Sequence, residues 1–307
     1  MRTIGRRKHV SKSTVSKAVT SIAKEAKGSI WIAEEFKPKW GHVLSVDGKI
    51  IRVFNPGAKD YQGTSAEKKA QLKKTWIAGV DVLTKDLPHY TVADGEGKID
   101  MYEYFKTLKE EIGYDLKVLV SDGKPDTKTA VRIVYGATVG IQLCIRHFIE
   151  TLKTILREEK NQERAATENL VINIWSALNL RYEADCFDAL KVFTSMPETR
   201  CQKLIAQTLT RHIFELTAHF RFQDRYFVPR YNNDVENLFK QVSLRLKSWN
   251  MFRSKQSAEH YLKAWAIYRR FTKFTDCKGH MNRLKNGKAP LELAGVNIDG
   301  IDYLNLC

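Results

Sequence analysis

The apolar positions of this chain follow two rhythms, and the change from one to the other divides it. Through residues 40–94 the rhythm is close to two, the period of a half-buried strand. His42-Val43-Leu44-Ser45-Val46-Asp47-Gly48-Lys49-Ile50 reads as a buried strand leading into a turn, and the strand as a whole runs from Val43 to Phe54 with a turn or bulge at Gly48. Asn55-Pro56-Gly57 is a turn, and the polar, Lys-rich run from Ala58 to Gln71 is a loop. Two more strands follow, Thr75 to Val82 and Pro88 to Ala93. Tyr102, Phe105, Leu108 and Ile112 then recur at helical spacing, which predicts a helix from Ile99 to Ile112. A fourth strand ends in Val120-Ser121-Asp122-Gly123, a short helix covers 127–135, and Val139 to Cys144 is a fifth strand.

From 146 to 226 the strand rhythm is gone. Leu152, Ile155, Leu170, Ile174, Leu178, Phe187, Leu190, Ile205 and Leu209 recur at helical spacing in a polar background, which predicts an all-helical insertion of about four helices. Lys160 to Ala165 and Pro197 punctuate it. Phe227 to Asn233 returns the chain to the core. Asp234 to about Thr272 is helical again, broken at Ser254 to Ser257, and the residues after Gly279 read as a loose tail. Near the start, Ser13 is an N-cap for a stripe of Val15, Ala18, Val19, Ile22 and Ala23, and Gly28 ends that helix. The segment fits the last helix of a helix-turn-helix, or a lone amphipathic arm. The expected divisions are a basic arm at 1–39, a core at 40–147, the insertion at 148–229, basic C-terminal helices at 230–285 and a tail at 286–307.

Three strands, helix, strand, helix, strand is the element order of the ribonuclease H-like fold. The expected class is therefore α/β, a mixed five-stranded sheet with an all-helical insertion before the last catalytic helix. In that order the first and fourth strands are neighbours, which would bring Asp47 beside Asp122.

These acids carry the candidate chemistry. A carboxylate inside an apolar strand is costly unless it is paired or holds a cation. Asp47 and Asp122 each close an apolar strand, and Glu236 opens the basic helix Asn232-Asn233-Asp234-Val235-Glu236-Asn237-Leu238-Phe239-Lys240. Phosphodiester cleavage is served by two Mg²⁺ (or Mn²⁺) ions about 3.5–4 Å apart on hard oxygen ligands. In that arrangement Asp47 bridges the ions, Asp122 holds one and Glu236 the other. Each acid also has a structural explanation, because Asp-Gly is a common turn and a Glu near a helix start is favoured by the dipole. Asp81, Asp126 and Asp234 are the acids that could replace one of the three. Cys144-x-x-His147 has zinc-like spacing, but Cys186, Cys201, His212 and His219 supply no second pair, so a buried Cys and a hydrogen-bonded His fit better. No Gly-rich phosphate loop, nucleophile elbow or dinucleotide fingerprint is present.

Charge adds a partner. The net charge is +16 over 307 residues, and its position matters more than its size. Residues 1–39 carry a net +7 and residues 236–286 a net +9, while 40–235 are nearly balanced. Two basic ends suit a polyanion. Lys12 and Lys17 in the arm, and Lys240, Arg245, Lys247, Arg253 and Lys255 beside Trp249 and Phe252, are the candidate DNA-binding residues. No apolar run approaches the roughly 20 residues of a membrane span, and no signal peptide is visible behind the basic N-terminus. Five irregularly spaced cysteines point to a reducing compartment.

Val46-Asp47-Gly48, Val120-Ser121-Asp122-Gly123, Cys144-x-x-His147 after Gln142-Leu143, and Asn233-x-x-Glu236 with Lys240 and Arg245 behind it resemble the DDE transposases of the Mutator-like superfamily and their bacterial and archaeal insertion-sequence relatives. That group has a Cys-or-Asp-x-x-His signature after the second Asp and a helical insertion before the Glu. The resemblance, over about 40–275, implies an enzyme that binds the terminal inverted repeats of its element, cuts there and joins the 3′ ends to target DNA. It implies Asp47, Asp122 and Glu236 as the triad, Cys144 and His147 in a supporting role, at least a dimer, and a cytoplasmic, nucleoid-associated setting in a prokaryotic host. The N-terminal DNA-binding part is shorter than such enzymes have, and the Asn often found after the second C-terminal helix is absent from Ile267-Tyr268-Arg269-Arg270-Phe271. A nuclease of the same fold, and an inactive or domesticated DNA-binding relative, are the alternatives.

Overall fold

The computed structural model of the chain describes residues 21, 23–55, 71–158, 164–195, 197, 199–246, 252–275, 277–278 and 283–306. Its centre is a five-stranded mixed sheet built from β1 (Val43–Phe54), β2 (Gln71–Asp81), β3 (His89–Ala93), β4 (Val118–Ser121) and β5 (Gly140–Leu143), in the order β3-β2-β1-β4-β5. β1 to β3 form an antiparallel meander, and β4 and β5 add to β1 in parallel. The first and fourth strands are thus neighbours, as the element order predicts.

One expectation about β1 is corrected. Gly48 is neither a turn nor a bulge: pairing with β2 is continuous from Leu44↔Asp81 to Phe54↔Gln71, and Gly48 lies opposite Ile77. Asp47 therefore sits inside a twelve-residue strand rather than at its end. Pro56 and Gly57 of the expected turn and most of the Lys-rich loop lie outside the described residues, and Gln71 already belongs to β2.

Strand alternation assigns the two faces. Leu44 and Val46, with Ile77, Leu119 and Ile141, pack under α2 (Lys98–Glu110) and α3 (Pro125–Tyr135) through Met101, Phe105, Leu108, Ala130 and Val131. The opposite face is covered by α9 (Asn233–Leu246) and α10 (Lys255–Phe271), whose Val235, Leu238, Phe239, Val242, Leu262 and Trp265 close over Ile51, Val53, Trp76 and Val80. Trp76 is fully buried there, edge-on to Phe239 and Trp265 at ring-centre distances of 5.0 and 5.7 Å. Asp47 has the parity of Val43 and Ser45, the face that α9 covers. Asp122 has the parity of Val118 and Val120, which pack with Val43.

Between the two parts lie α4 (Ile145–Glu158), α5 (Arg164–Leu178), α6 (Glu183–Ser195), α7 (Arg200–Leu216) and the short α8 (Ala218–Phe222), which share a separate apolar core. Gln142 ties this bundle to the sheet: its Nε2 donates to the carbonyls of Leu143 and Leu216, and its Oε1 accepts from the His219 backbone N–H.

The tail also departs from expectation. Its α11 (Pro290–Leu293) and a final 3₁₀ turn (Tyr303–Leu306) bring Leu291, Val296, Ile298, Ile301, Tyr303 and Leu306 onto Ile32 of α1 (Ser29–Phe36) and onto Ile267 and Phe271 of α10. These apolar residues are too widely spaced for a regular period, yet together they cover one surface. No described helix is long and apolar enough to cross a membrane.

Candidate active site

The middle of β1 and the carboxyl end of its parallel neighbour β4 build the site. The β1–β4 register pairs Ser45 with Val120; two residues on, Asp47 lies within β1 and Asp122 just past the end of β4. Burial, and then the Asp122 charge, push the Asp47 carboxyl up to about 6, against the opposing pull of the Gly48 N–H and of Lys124. The Gly48 N–H donates to Asp47 Oδ1 at 2.8 Å, and the Lys124 N–H donates to Asp122 Oδ1 at 3.2 Å.

A fourth acid joins this pair. Glu96, in the turn before α2, lies across Gly48 so closely that a Cβ there would stand 2.0 Å from its Oε1. Lys124 bridges Glu96 Oε2 at 2.7 Å and Asp122 Oδ2 at 3.0 Å. Those contacts outweigh burial and hold the Lys124 ammonium above its usual range. The Asp47–Gly48 dipeptide was the available signal for Glu96, because a glycine beside a buried acid leaves room for a second group.

Glu236 is placed differently. It lies in the first turn of α9, where the helix dipole favours an acid. Its Oε2 accepts from Arg146 Nη1 at 2.8 Å, while Arg146 Nη2 donates to Asn233 Oδ1 at 2.9 Å. Its Oε1 is buried without a hydrogen-bond partner. Ligand atoms of Glu236, Cys144 and His147 lie within 4.8 Å of one another. Among the described residues, no such group takes in Asp47, Asp122 and Glu236 together.

His147 links the two clusters. Its contact with the Cys144 thiol, with added pull from Asp122 and Asp47, holds the imidazole up to about 9. Its Nδ1, like Glu236 Oε1, is buried without a hydrogen-bond partner. Burial pushes the Cys144 thiol up, but His147 and the N–H groups of His147 and Asn232 outweigh it, and the net shift is downward.

Asn232, just ahead of α9, holds the parts in register. It is fully buried. Its Nδ2 donates to the Val46 carbonyl at 3.1 Å, its Oδ1 accepts from Ser45, and its N–H donates to Cys144 Sγ at 3.3 Å. Neither Asn232, Arg146 nor Lys124 stands out by residue type alone.

The other three candidate acids have different surroundings. Both Asp81 oxygens are used, Oδ1 by the N–H and hydroxyl of Thr84 and Oδ2 by the Gly41 N–H and the Tyr114 hydroxyl. Asp234 pairs with Lys85 at 2.7 Å, and Asp126 is exposed in the first turn of α3. Of the basic candidates, Lys240, Arg253 and Lys255 are exposed, and Lys255 Nζ lies 3.9 Å from Asp94. Lys12, Lys17, Lys247 and Trp249, and the side chain of Arg245, lie outside the described residues. Phe252 is 5% exposed and packs in the core, so it offers no ring to a base.

A family model described as Transposase, Mutator family matches residues 68–269. The matched stretch includes Asp122, Cys144, His147 and Glu236 and begins after Asp47. No curated protein matches the chain.

Proposed function

The chain belongs to the Mutator family of transposases, and from that membership and the acid pair on β1 and β4 we propose that it binds the ends of a mobile element, cleaves DNA there and transfers the 3′ ends to target DNA. Asp47, Asp122 and Glu236 are the proposed catalytic acids. The sheet order, with β4 parallel to β1 and the helical bundle ahead of α9, supports a ribonuclease H-like core. The observation that carries the reading is the nearness of Asp47, inside β1, to Asp122, just past the end of the neighbouring parallel strand β4, whose charge acts on it.

The donor set fits hard divalent cations. Two carboxylates that repel each other are relieved by a cation, and the unpartnered Glu236 Oε1 is an oxygen donor in reserve. Asp47, Asp122 and Glu236 would hold Mg²⁺ or Mn²⁺, which when bound would activate an oxygen nucleophile and stabilise the leaving oxygen. The protein's own groups do the rest. Lys124 offsets the charge of Asp122 and Glu96. Arg146 fixes one oxygen of Glu236 and leaves the other facing inward. Lys240, Arg253 and Lys255, all exposed, are the proposed phosphate contacts, so binding should weaken steeply with salt. Joining two ends calls for at least two copies of the chain.

Asp47→Asn tests the reading. In Mg²⁺ or Mn²⁺ it should lose at least about a hundredfold in DNA cleavage yet still shift DNA in a gel. Wild-type cleavage in that variant removes Asp47 from the triad. Nicking without joined product would mark a nuclease. Metal-independent DNA binding with no cleavage in any divalent cation would mark an inactive relative.

A further inference from the structure

We propose that Cys144, His147 and Glu236 form a binding centre for a thiophilic divalent cation of the Zn²⁺ class, which shares Glu236 with the proposed hard-cation site of Asp47 and Asp122. Three segments deliver the three donors: the residue after β5, the first turn of α4 and the first turn of α9. One ligand atom from each lies within 4.8 Å of the others.

Two of these donors have unmet bonding capacity. His147 Nδ1 and Glu236 Oε1 are both buried and have no hydrogen-bond partner. Buried polar atoms are nearly always paired, so two orphans in one three-residue cluster point to a ligand. The third donor is a fully buried thiol.

The chemistry of the set selects the cation. A thiol is a poor ligand for Mg²⁺ and a good one for Zn²⁺. One Cys, one His and one Glu make three protein ligands with a fourth position open, the pattern of zinc sites that keep a water. Binding takes Cys144 as the thiolate and His147 as the neutral imidazole, and the protons that both give up pass to solvent. Arg146 orients Glu236 from outside by holding Oε2 and leaves Oε1, buried and without a hydrogen-bond partner, for a ligand. Glu236 is 29% exposed on its side chain, which gives a cation a way in.

A consequence rests on the catalytic reading above. A cation held here claims Glu236 and withdraws it from the aspartate pair, so Zn²⁺ opposes Mg²⁺-supported cleavage.

Titrating the full chain with Co²⁺, a spectroscopic substitute for Zn²⁺, tests the site without reference to activity. One equivalent should produce a thiolate-to-cobalt charge-transfer band with tetrahedral ligand-field bands, and Zn²⁺ should erase them. Cys144→Ser should lose the charge-transfer band. Glu236→Gln, at a partly exposed position, should bind Co²⁺ at least about tenfold more weakly. Asp47→Asn should keep the wild-type spectrum. No band in the wild-type chain, a band that survives in Cys144→Ser, or unchanged affinity in Glu236→Gln overturns the proposal. If Asp47→Asn still cleaves DNA while the cobalt spectrum is present, the catalytic reading fails and this site stands. If cleavage is lost in Asp47→Asn and the wild-type chain shows no band, only this inference fails.

Discussion

Asn232 donates its side-chain N–H to the Val46 carbonyl at 3.1 Å, and that bond joins the residue before Asp47 to the helix that carries Glu236. The same side chain accepts from the Ser45 hydroxyl, and the Asn232 N–H reaches the Cys144 thiol. Asn232→Ala leaves the Ser45 hydroxyl and the Val46 carbonyl buried without these partners. At about 1–3 kcal/mol for a stranded buried group, the variant should lose roughly 2–4 kcal/mol in urea unfolding. Its Mg²⁺-supported cleavage should fall further than its stability explains, because the helix bearing Glu236 loses its register on β1. An unchanged urea midpoint would show that Asn232 does not hold these elements together.

Gly48 and Glu96 compete for one space. A Cβ at Gly48 would stand 2.0 Å from Glu96 Oε1 and 2.6 Å from its Cγ, so Gly48→Ala must expel the Glu96 side chain. The backbone at Gly48 needs no positive φ, and the obstacle is the far end of a flexible side chain. The stability cost should therefore be small, on the order of 1–2 kcal/mol. The cost should disappear in a Glu96→Ala background, because the obstacle is then already gone. Equal costs for Gly48→Ala in the two backgrounds would show that Glu96 is not what the new methyl meets.

The sheet was legible because its signal is local. Alternation in Val43 to Phe54 and the apolar runs before Asp122 and Cys144 mark the strands whatever lies around them. The neighbouring of Asp47 and Asp122 follows from element order alone. Pairing geometry was not legible. Gly48 looks like a turn residue in isolation, but only the continuous β2 ladder shows that it is a gap filled by Glu96 from a distant loop. The orientation of Glu236 depends on Arg146, ninety residues away in sequence, and no periodicity encodes such a pair. The tail escaped for a related reason: Leu291, Val296, Ile301 and Tyr303 form a surface only once α1 and α10 are in place.

Arg270 and Asp86 form a buried pair that fastens α10 to the β2–β3 connection. Arg270 Nε and Nη2 donate to Asp86 Oδ1 and Oδ2 at 2.9 and 2.7 Å, and the Trp40 indole N–H donates to Oδ2 at 2.9 Å. Both side chains are at most 1% exposed. Removing one member of a buried pair strands the other charge, which costs about 3–5 kcal/mol. Arg270→Met should lower stability by that amount, and the double variant Arg270→Met with Asp86→Leu should recover much of it, because no lone charge remains. A double variant no more stable than Arg270→Met would assign the loss to packing rather than to the stranded Asp86.

His89 should make the fold sensitive to mild acid. It is buried at the start of β3, with Nδ1 3.0 Å from the Ser29 hydroxyl and its ring against Tyr104. Burial lowers its pKa to about 3, whereas an unfolded His titrates near 6.5. Between those values the unfolded chain binds the proton and the native chain does not, so stability rises with pH. The contribution is complete above about pH 6.5 and is lost as pH falls toward 3, at about 1.4 kcal/mol per unit once well below 6.5. His219, lowered to about 4 by burial, acts in the same direction. The Asp47 carboxyl, raised to about 6, acts oppositely, since the native chain holds its proton more tightly than the unfolded chain does. Urea unfolding of the wild-type chain at pH 7.5 and pH 5 should therefore be compared with His89→Gln, which cannot titrate. The variant should lose roughly 2 kcal/mol less than the wild type over that interval. An equal loss in both would show that His89 is not held neutral by the fold.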